Sequence, residues 1–579
     1  MTKLLKYFKG YGAVALLAPA FKLLEASFEL FVPFVVARII DYGIGTGNRA
    51  YAFRMSLVLV LLSFVGLIST VIAQYFAAKA SVGFASKVRT ALFSRIQSMS
   101  YTELDRAGTS TLITRMTSDI NQLQSGVNLT LRLFLRSPFI VFGAMIMAFT
   151  IDFRSALIFV GMIAVLSVIV FGIMLISIPL YRRVQDSLDG MTAITRENLT
   201  GIRILRGFCK EDDEKREFAA AAERLRRGQL FVGRISALMN PLTCLVVNVS
   251  VILLIRSGAF RVDSGAITQG QLVALYNYMA QILVELIKLA NLIITITKAA
   301  ACADRVADVI TSGDGERSGG KRLPQDVSTS VPKVEFRGVS LRYDGSAEDS
   351  LHGITFSVMP GETVGIIGGT GSGKTSLVNL IPAFYECTEG EVLVDGVNVT
   401  ECDIDSLRKR IGIVPQRAVL FKGSIRDNLL WRDPRADDAE LMSAAADAMA
   451  DDVIKSKDGG LSAHVEQSGR NFSGGQRQRL TIARALVGHP DILIFDDSSS
   501  ALDYATDAAL RRSIANLPYT HTTFIVSQRT SSIMHADRII VLENGVPVGI
   551  GTHDELYRTC DTYREIHDLQ FREAVSENE

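Results

Sequence analysis

Six apolar runs, at about residues 12–42, 54–80, 130–151, 155–180, 234–256 and 267–297, constrain this chain more than any other feature. Each meets or exceeds the ~20 residues that a helix needs to cross a hydrocarbon layer about 30 Å thick. Backbone polar groups in hydrocarbon find no water, so runs of this length predict helices that bond their own backbone. Six is even, and both ends of the segment then lie on one side. The stretch between the fourth and fifth runs carries Arg182, Arg183, Arg196, Arg203, Arg206, Lys210, Lys215 and Arg216, whereas the third and fourth runs are joined only by "IDFRSA". Basic residues stay in the cytoplasm, so that stretch and both ends are placed there. Arg49 and Arg261 run against the bias, since they would face outside.

At 579 residues the chain exceeds one compact core. A hydrophobic fraction of 48% beside 21% charged residues reads as an apolar domain joined to a polar one. The net charge of +1 gives no overall pull toward nucleic acid, and the basic residues gather in loops between apolar runs. The six cysteines show no CxxC or other metal-ligand spacing, which predicts reduced thiols and neither a disulfide framework nor a zinc site. Lys22 and Glu25 interrupt the first apolar run, so no cleavable leader is expected.

The two connections assigned to the cytoplasm, about 81–129 and 181–233, are long, charged and helix-favouring, and are expected to continue the spans as helices. Each holds a stretch, "TLITRMTSDINQLQ" and "ENLTGIRILRGFCKED", that could turn and meet a partner surface; periodicity alone fits an ordinary amphipathic helix equally well. Ionisable groups inside spans are costly. Lys22, Glu25 and Glu29 share a helical face at i, i+3 and i+7, as do Glu285 and Lys288 at i, i+3. Two readings stand: structural ion pairs or helix extensions, and direct contact with a substrate.

From residue 311 the pattern changes. "TSGDGERSGGKRLPQDVSTSVP", 311–332, concentrates Gly, Ser, Pro and charge without apolar period and reads as a linker. Short β-rich segments follow ("KVEFRGVSLRY", "ETVGIIG", "GEVLVDG", "DILIFD", "TTFIVSQ", "RIIVLENG") between helical ones, as in an α/β domain. Within it "GGTGSGKTS" satisfies GxxxxGK[ST] after the apolar strand "TVGII" and before the helical "SLVNLI". Glycines let successive N–H groups close around β- and γ-phosphates, the helix start adds positive potential, Lys374 neutralises phosphate charge and the Thr375 hydroxyl can ligate Mg²⁺. Candidate ATP contacts are therefore Gly368, Thr370, Gly371, Ser372, Gly373, Lys374, Thr375 and Ser376.

Asp496 ends "DILIF", where a carboxylate can hold the same Mg²⁺. In "NFSGGQRQRLTIARAL", Ser473, Gly474, Gly475 and Gln476 precede a helix, and small residues with exposed N–H groups there suit an anion. This stretch closely resembles the LSGGQ signature of the ATP-binding cassette (ABC) family, with Phe472 at the first position. Six spans followed by one cassette resemble an exporter-type half-transporter over essentially the whole chain. The resemblance implies an all-α six-helix transmembrane domain (1–310), the linker, and an α/β P-loop NTPase cassette (333–579), with both termini and the cassette on the cytoplasmic side of a cell membrane. It further implies that Tyr343 in "LRYDG" stacks on adenine, that Gln416 in "IGIVPQ" contacts metal or attacking water, and that "SALD" ending at Asp503 is the loop crossing a dimer interface. By the same resemblance the two cytoplasmic stretches are coupling helices.

Two positions depart from the family pattern. Where it has Glu after the Mg²⁺-binding Asp, this chain has Asp497; where it has a switch His, "FIVSQRTSS" has Gln528. Cassettes of this family close head to tail, so Ser473–Gln476 serve the partner's ATP. A homodimer would then hold no fully equipped centre, whereas a second, different half-transporter with Glu and His would complete one. The expectation is an ATP-driven exporter subunit, heterodimeric, of multidrug type, whose own site retains ATP and hydrolyses it slowly. Its rivals are a slow homodimeric lipid or drug flippase and a non-transporting, ATP-binding membrane regulator. The cargo is not legible.

Overall fold

The computed structural model describes residues 2–313, 315–324, 328, 330–498 and 501–576. They form two compact units, one of residues 1–97 with 110–312 and one of 98–109 with 313–579.

The first unit is helical. Its helices are α1 (Gly12–Arg38), α2 (Arg49–Gln97) and then, beyond α3 (Tyr101–Ala107) of the other unit, α4 (Thr109–Thr114), α5 (Ile120–Leu133), α6 (Arg136–Ile151), α7 (Phe153–Thr200), α8 (Ile202–Gly207), α9 (Glu211–Ala237), α10 (Met239–Asp263) and α11 (Gln269–Thr311). Among the described residues, five helical stretches are long and apolar enough to cross a membrane: Arg49–Gln97, Thr109–Ile151, Phe153–Thr200, Glu211–Asp263 and Gln269–Thr311. The expected first span differs. At 27 residues α1 is long enough, but it carries Lys22, Glu25 and Glu29. Helix packing compensates those charges. Arg136, the first residue of α6, gives one guanidinium nitrogen to Glu285 of α11 and another to Glu29 of α1, each at 2.6 Å. Lys288 and the Ser137 hydroxyl each bond Glu285 at 2.8 Å, and Lys22 pairs with Glu25. Arg261, which ran against the charge bias, pairs with Asp152. Around the Arg136 network, buried Ala26, Leu30, Ile140, Ala144, Phe159, Leu275 and Met279 form a core shared by α1, α6, α7 and α11. Small residues at such contacts let helices approach closely.

The long connections are helical, as α2 and α7 run on for 49 and 48 residues. The first candidate turn is misplaced, however. "TLITRMTSDINQLQ" continues through α4, a π turn at Arg115–Asp119 and α5, because buried Asp119 is held by Arg115 at 2.8 Å and by Arg305 of α11 at 2.6 Å. The chain breaks ten residues earlier, at α3. There Ser100 and Glu103 make a reciprocal capping box, and Gly108 ends the helix at φ +71°, a conformation that glycine takes without a steric penalty. The second stretch does hold a short helix, α8.

The second unit is α/β. Its strands are β1 (Val334–Leu341), β2 (Leu351–Val358), β3 (Thr363–Gly368), β4 (Glu389–Val394), β5 (Val397–Asn398), β6 (Ile411–Val414), β7 (Gly423–Ser424), β8 (His464–Val465), β9 (Ile492–Asp496), β10 (Thr522–Val526), β11 (Arg538–Glu543) and β12 (Val546–Gly551). An antiparallel sheet runs β2-β1-β4-β5, and the main sheet runs β12-β11-β3-β10-β9-β6, parallel from β11 to β6 with β12 antiparallel at its edge. β9 is buried along its whole length, as a strand covered on both faces must be. Residues 315–324 of the expected linker lie along this unit: Lys321 bridges to Cys402, and Glu316 pairs with Arg408. Asp314, Gln325, Asp326, Val327 and Thr329 of that stretch lie outside the described residues. Residues 98–109 also pack here. The Tyr101 ring stacks on Phe384 at 4.4 Å, Arg106 pairs with Asp344, and the Tyr385 hydroxyl donates to Asp105 at 2.7 Å.

Candidate functional site

The site grows from the C-terminal ends of four adjacent parallel strands, β3, β10, β9 and β6, where α/β sheets expose backbone to ligands. β3 leads into the glycine loop and the helix α12 (Lys374–Asn379). Gly373 turns at φ +95°, and a Cβ there would sit 2.7 Å from the carbonyl oxygen of Ser350, so only glycine fits. The Lys374 ammonium folds back over the loop and donates to the carbonyls of Gly368 at 2.9 Å and Gly369 at 2.7 Å. Burial pushes its pKa down, against the opposing pull of Asp497 and Asp496. An ammonium so held is a cation ready for a phosphate oxygen.

Strand β9, one strand removed from β3 across β10, delivers Asp496 to the same place. The Thr375 hydroxyl donates to Asp496 at 2.9 Å. Burial raises the carboxyl of Asp496 above the ordinary range; the Thr375 bond and Lys374 oppose this, while Asp497 adds to it. A buried carboxylate beside a hydroxyl is an oxygen pair that suits a hard divalent cation. Among the described residues no group of three His, Cys, Asp or Glu is placed to hold a metal ion, and Thr375 with Asp496 offers two adjacent oxygens.

One residue on, Asp497 takes φ +45°, a turn that Asp tolerates better than most side chains, and its N–H is pinned to the Val526 carbonyl at 3.0 Å. The β9–β10 register sets Val526 opposite Asp496, which brings Gln528 alongside. Gln416 reaches the same point from beyond β6. Both amide nitrogens, of Gln416 and of Gln528, lie 3.4 Å from Asp497 Oδ2. The structure thus gathers the three residues expected to act on the bond being broken.

Tyr343 lies against the antiparallel sheet's core, donates its hydroxyl to Ser376 at 2.9 Å and meets the Tyr385 ring edge-on at 4.9 Å. Burial raises its pKa, so it is a neutral ring at physiological pH. Sequence reasoning missed the neighbours: Tyr385 is bonded to Asp105, and Asp344, next to Tyr343, to Arg106. The signal for that short helix was present in Ser100, Glu103 and Gly108; its landing place was not.

Ser473 and Gln476 cap the helix Gly474–Leu486 by a reciprocal pair of bonds at 3.3 and 3.0 Å. Phe472 is buried in the core that includes Leu480 and Leu502, so the departure from Leu keeps the position's apolar role. A Cβ on Gly475 would meet the Ala501 carbonyl oxygen at 3.3 Å, which places the signature beside the "SALD" turn. Asp503 of that turn is exposed ahead of the helix Tyr504–Ala515; Ser500 lies outside the described residues.

Comparison with known proteins agrees with this anatomy. The family pattern for the ABC transporter transmembrane region matches residues 15–286, and that for the ABC transporter matches 351–500. An uncharacterized ABC transporter ATP-binding protein of Mycobacterium tuberculosis is 35% identical over 97% of this chain and 96% of its own length. An ATP-dependent lipid A-core flippase of Syntrophus aciditrophicus is 31% identical over 84% of this chain and 80% of its own. The structure of a bacterial Atm1-family ABC exporter with ATP bound shares the fold, with a TM-score of 0.80, 24% identity and coverage of 96% of this chain and 99% of that one. A helical membrane region, a cassette with its phosphate loop, and relatives matched from end to end lead to one assignment: this chain belongs to the ABC transporter family, as an ATP-driven, multi-pass membrane exporter subunit.

Proposed function

We propose that this chain is the ATP-retaining subunit of a heterodimeric exporter in the cytoplasmic membrane. ABC exporters act as dimers in a lipid bilayer. In this reading residues 1–310 form the membrane domain, 311–332 the linker and 333–579 the cassette. The observation that carries it is the coincidence of Asp497 and Gln528 with an otherwise complete set of ATP-holding residues. Lys374 and the loop N–H groups bind phosphate, and Tyr343 stacks on adenine. Thr375 and Asp496, with Gln416, would hold Mg²⁺, which when bound supplies positive charge against the phosphates. Asp497 is one methylene shorter than Glu, which withdraws its carboxylate by about 1.5 Å from a water it would orient. A misplacement of about 1 Å can cost ~10²-fold in rate. Gln528 can donate a hydrogen bond to a γ-phosphate but cannot carry charge or relay a proton as imidazole does. Ser473, Gly474, Gly475 and Gln476 then serve the partner's nucleotide, with Asp503 crossing between the cassettes.

ATP binding favours the closed cassette pair, and that bias shifts the membrane halves from inward- to outward-facing. Replacing Asp497→Glu together with Gln528→His, in the chain reconstituted with its partner, is expected to raise hydrolysis at this chain's own site by ~10²-fold. Trapped-nucleotide measurements read that site separately, and no gain there would overturn the degenerate-site reading. A second reading, a homodimeric flippase, is favoured by the extent of the match to the lipid A-core flippase. Brisk ATP consumption by the purified chain alone would establish it in place of the first.

A further inference from the structure

The C-terminal helix, Asp561–Ser576, carries one side chain into the switch segment that follows β10. The Gln570 amide nitrogen donates to the backbone carbonyl of Gln528 at 2.6 Å. Its amide oxygen accepts from both the N–H and the hydroxyl of Thr530, each at 2.9 Å. Thr530 is wholly buried. One side chain thus spans the segment on both sides of Arg529, using one donor and both acceptor positions of its amide. The helix is itself anchored. Tyr563, wholly buried, lies in the core with Ile367, Val541 and Leu556, and its hydroxyl bonds His553 at 2.8 Å.

We propose that Gln570 is a positioning residue for the ATP site: it fixes the backbone at Gln528 so that the Gln528 amide stays at Asp497. The proposal rests on the role given to Gln528 above. Fixing the carbonyl of residue 528 limits rotation of the peptide that carries its Cα, and the amide at the end of that side chain lies 3.4 Å from Asp497 Oδ2. A loosened backbone would move the amide by an ångström or more, a shift on the scale that costs ~10-fold to ~10²-fold in turnover. The site would then be held in register from outside its own motifs.

The chemistry of the amide separates positioning from mere support. Gln570→Glu keeps an oxygen for Thr530 but has no donor for the Gln528 carbonyl, whereas Gln570→Ala loses all three bonds. The full-length chain in lipid nanodiscs, with Mg-ATP as the probe, is assayed for kcat and KM in two backgrounds, wild type and Asp497→Glu. In each, both Gln570 variants are expected to lower kcat by ~10-fold or more, with the KM for ATP changed less than about twofold. In a Gln528→Ala background the Gln570→Glu penalty should vanish, because the position of a missing amide is immaterial. Full turnover in Gln570→Glu, or an undiminished penalty without the Gln528 side chain, would overturn the proposal. These ratios are taken within one background, so they stand apart from the gain between backgrounds that tests the degenerate site itself.

Discussion

The buried charges of the helical unit answer one another, whereas those of the nucleotide loop answer backbone and a hydroxyl. Arg136, 7% exposed, and Glu285, 2% exposed, sit among Lys22, Glu25, Glu29 and Lys288, three cations against three anions. Lys374 and Asp496 are buried to a similar degree, yet Lys374 forms no ion pair among the described residues and Asp496 has the Thr375 hydroxyl. A network closed on itself stabilises a packed bundle; charges at a strand end that lack a direct ion pair are a preorganised place for a ligand's charge. In the helical unit Lys22, Glu25, Glu29, Glu285 and Lys288 are joined in ion pairs, the arrangement that the first of the two readings of these charges expects.

That contrast can be broken at several points. The largest effect is expected for Lys374→Ala, which should weaken binding of a fluorescent ATP analogue by ~10²-fold or more while leaving the helical unit's thermal midpoint in place. Retained binding would remove the loop from the open class. Arg136→Met should leave Glu29 and Glu285 without their guanidinium and destabilise the helical unit by about 3–5 kcal/mol, read as a fall in the unfolding midpoint in detergent. Adding Glu285→Gln should restore much of that loss; a stable single variant would show that the network is not closed.

Tyr385→Phe removes a closed contact beside the open site. It should cost about 1 kcal/mol and raise hydrogen exchange over residues 98–109, with ATP binding retained. The smallest effect has the most telling sign. Burial holds the Asp496 carboxyl above the ordinary range, so the folded chain binds that proton more readily than the unfolded one. Its contribution to stability is full below the ordinary carboxylate pKa and is lost as pH rises through the raised value. At neutral pH, without nucleotide, Asp496→Asn should therefore raise the thermal midpoint, and the gain should fade as the buffer is taken down through the carboxylate range. Glu285→Gln, the same change in the closed network, should lower the midpoint. Equal signs would erase the distinction between the regions.

The glycine loop, Asp496 and the signature were legible because each is local: a strand, a turn and a helix start encode them within about ten residues. The sequence signal for α3, Ser100 with Glu103 and Gly108, is local too, but it does not encode where the helix packs. Arg136 was not legible at all, since it stands 107 residues from Glu29 and 149 from Glu285. Nor was Gln570, 42 residues beyond the carbonyl it holds.

By itself the order of residues determined the kinds of element, the place of the phosphate loop and the presence of Asp497 and Gln528, on which the proposed function rests. Periodicity and motif spacing depend only on near neighbours, and near neighbours are what a linear chain records. Only the tertiary structure decided which charges cancel, that 98–109 packs with the nucleotide-binding unit, and that Gln416, Asp497 and Gln528 share one point. Those outcomes turn on distances of about 3 Å between groups far apart along the chain, which local pattern does not encode and packing does.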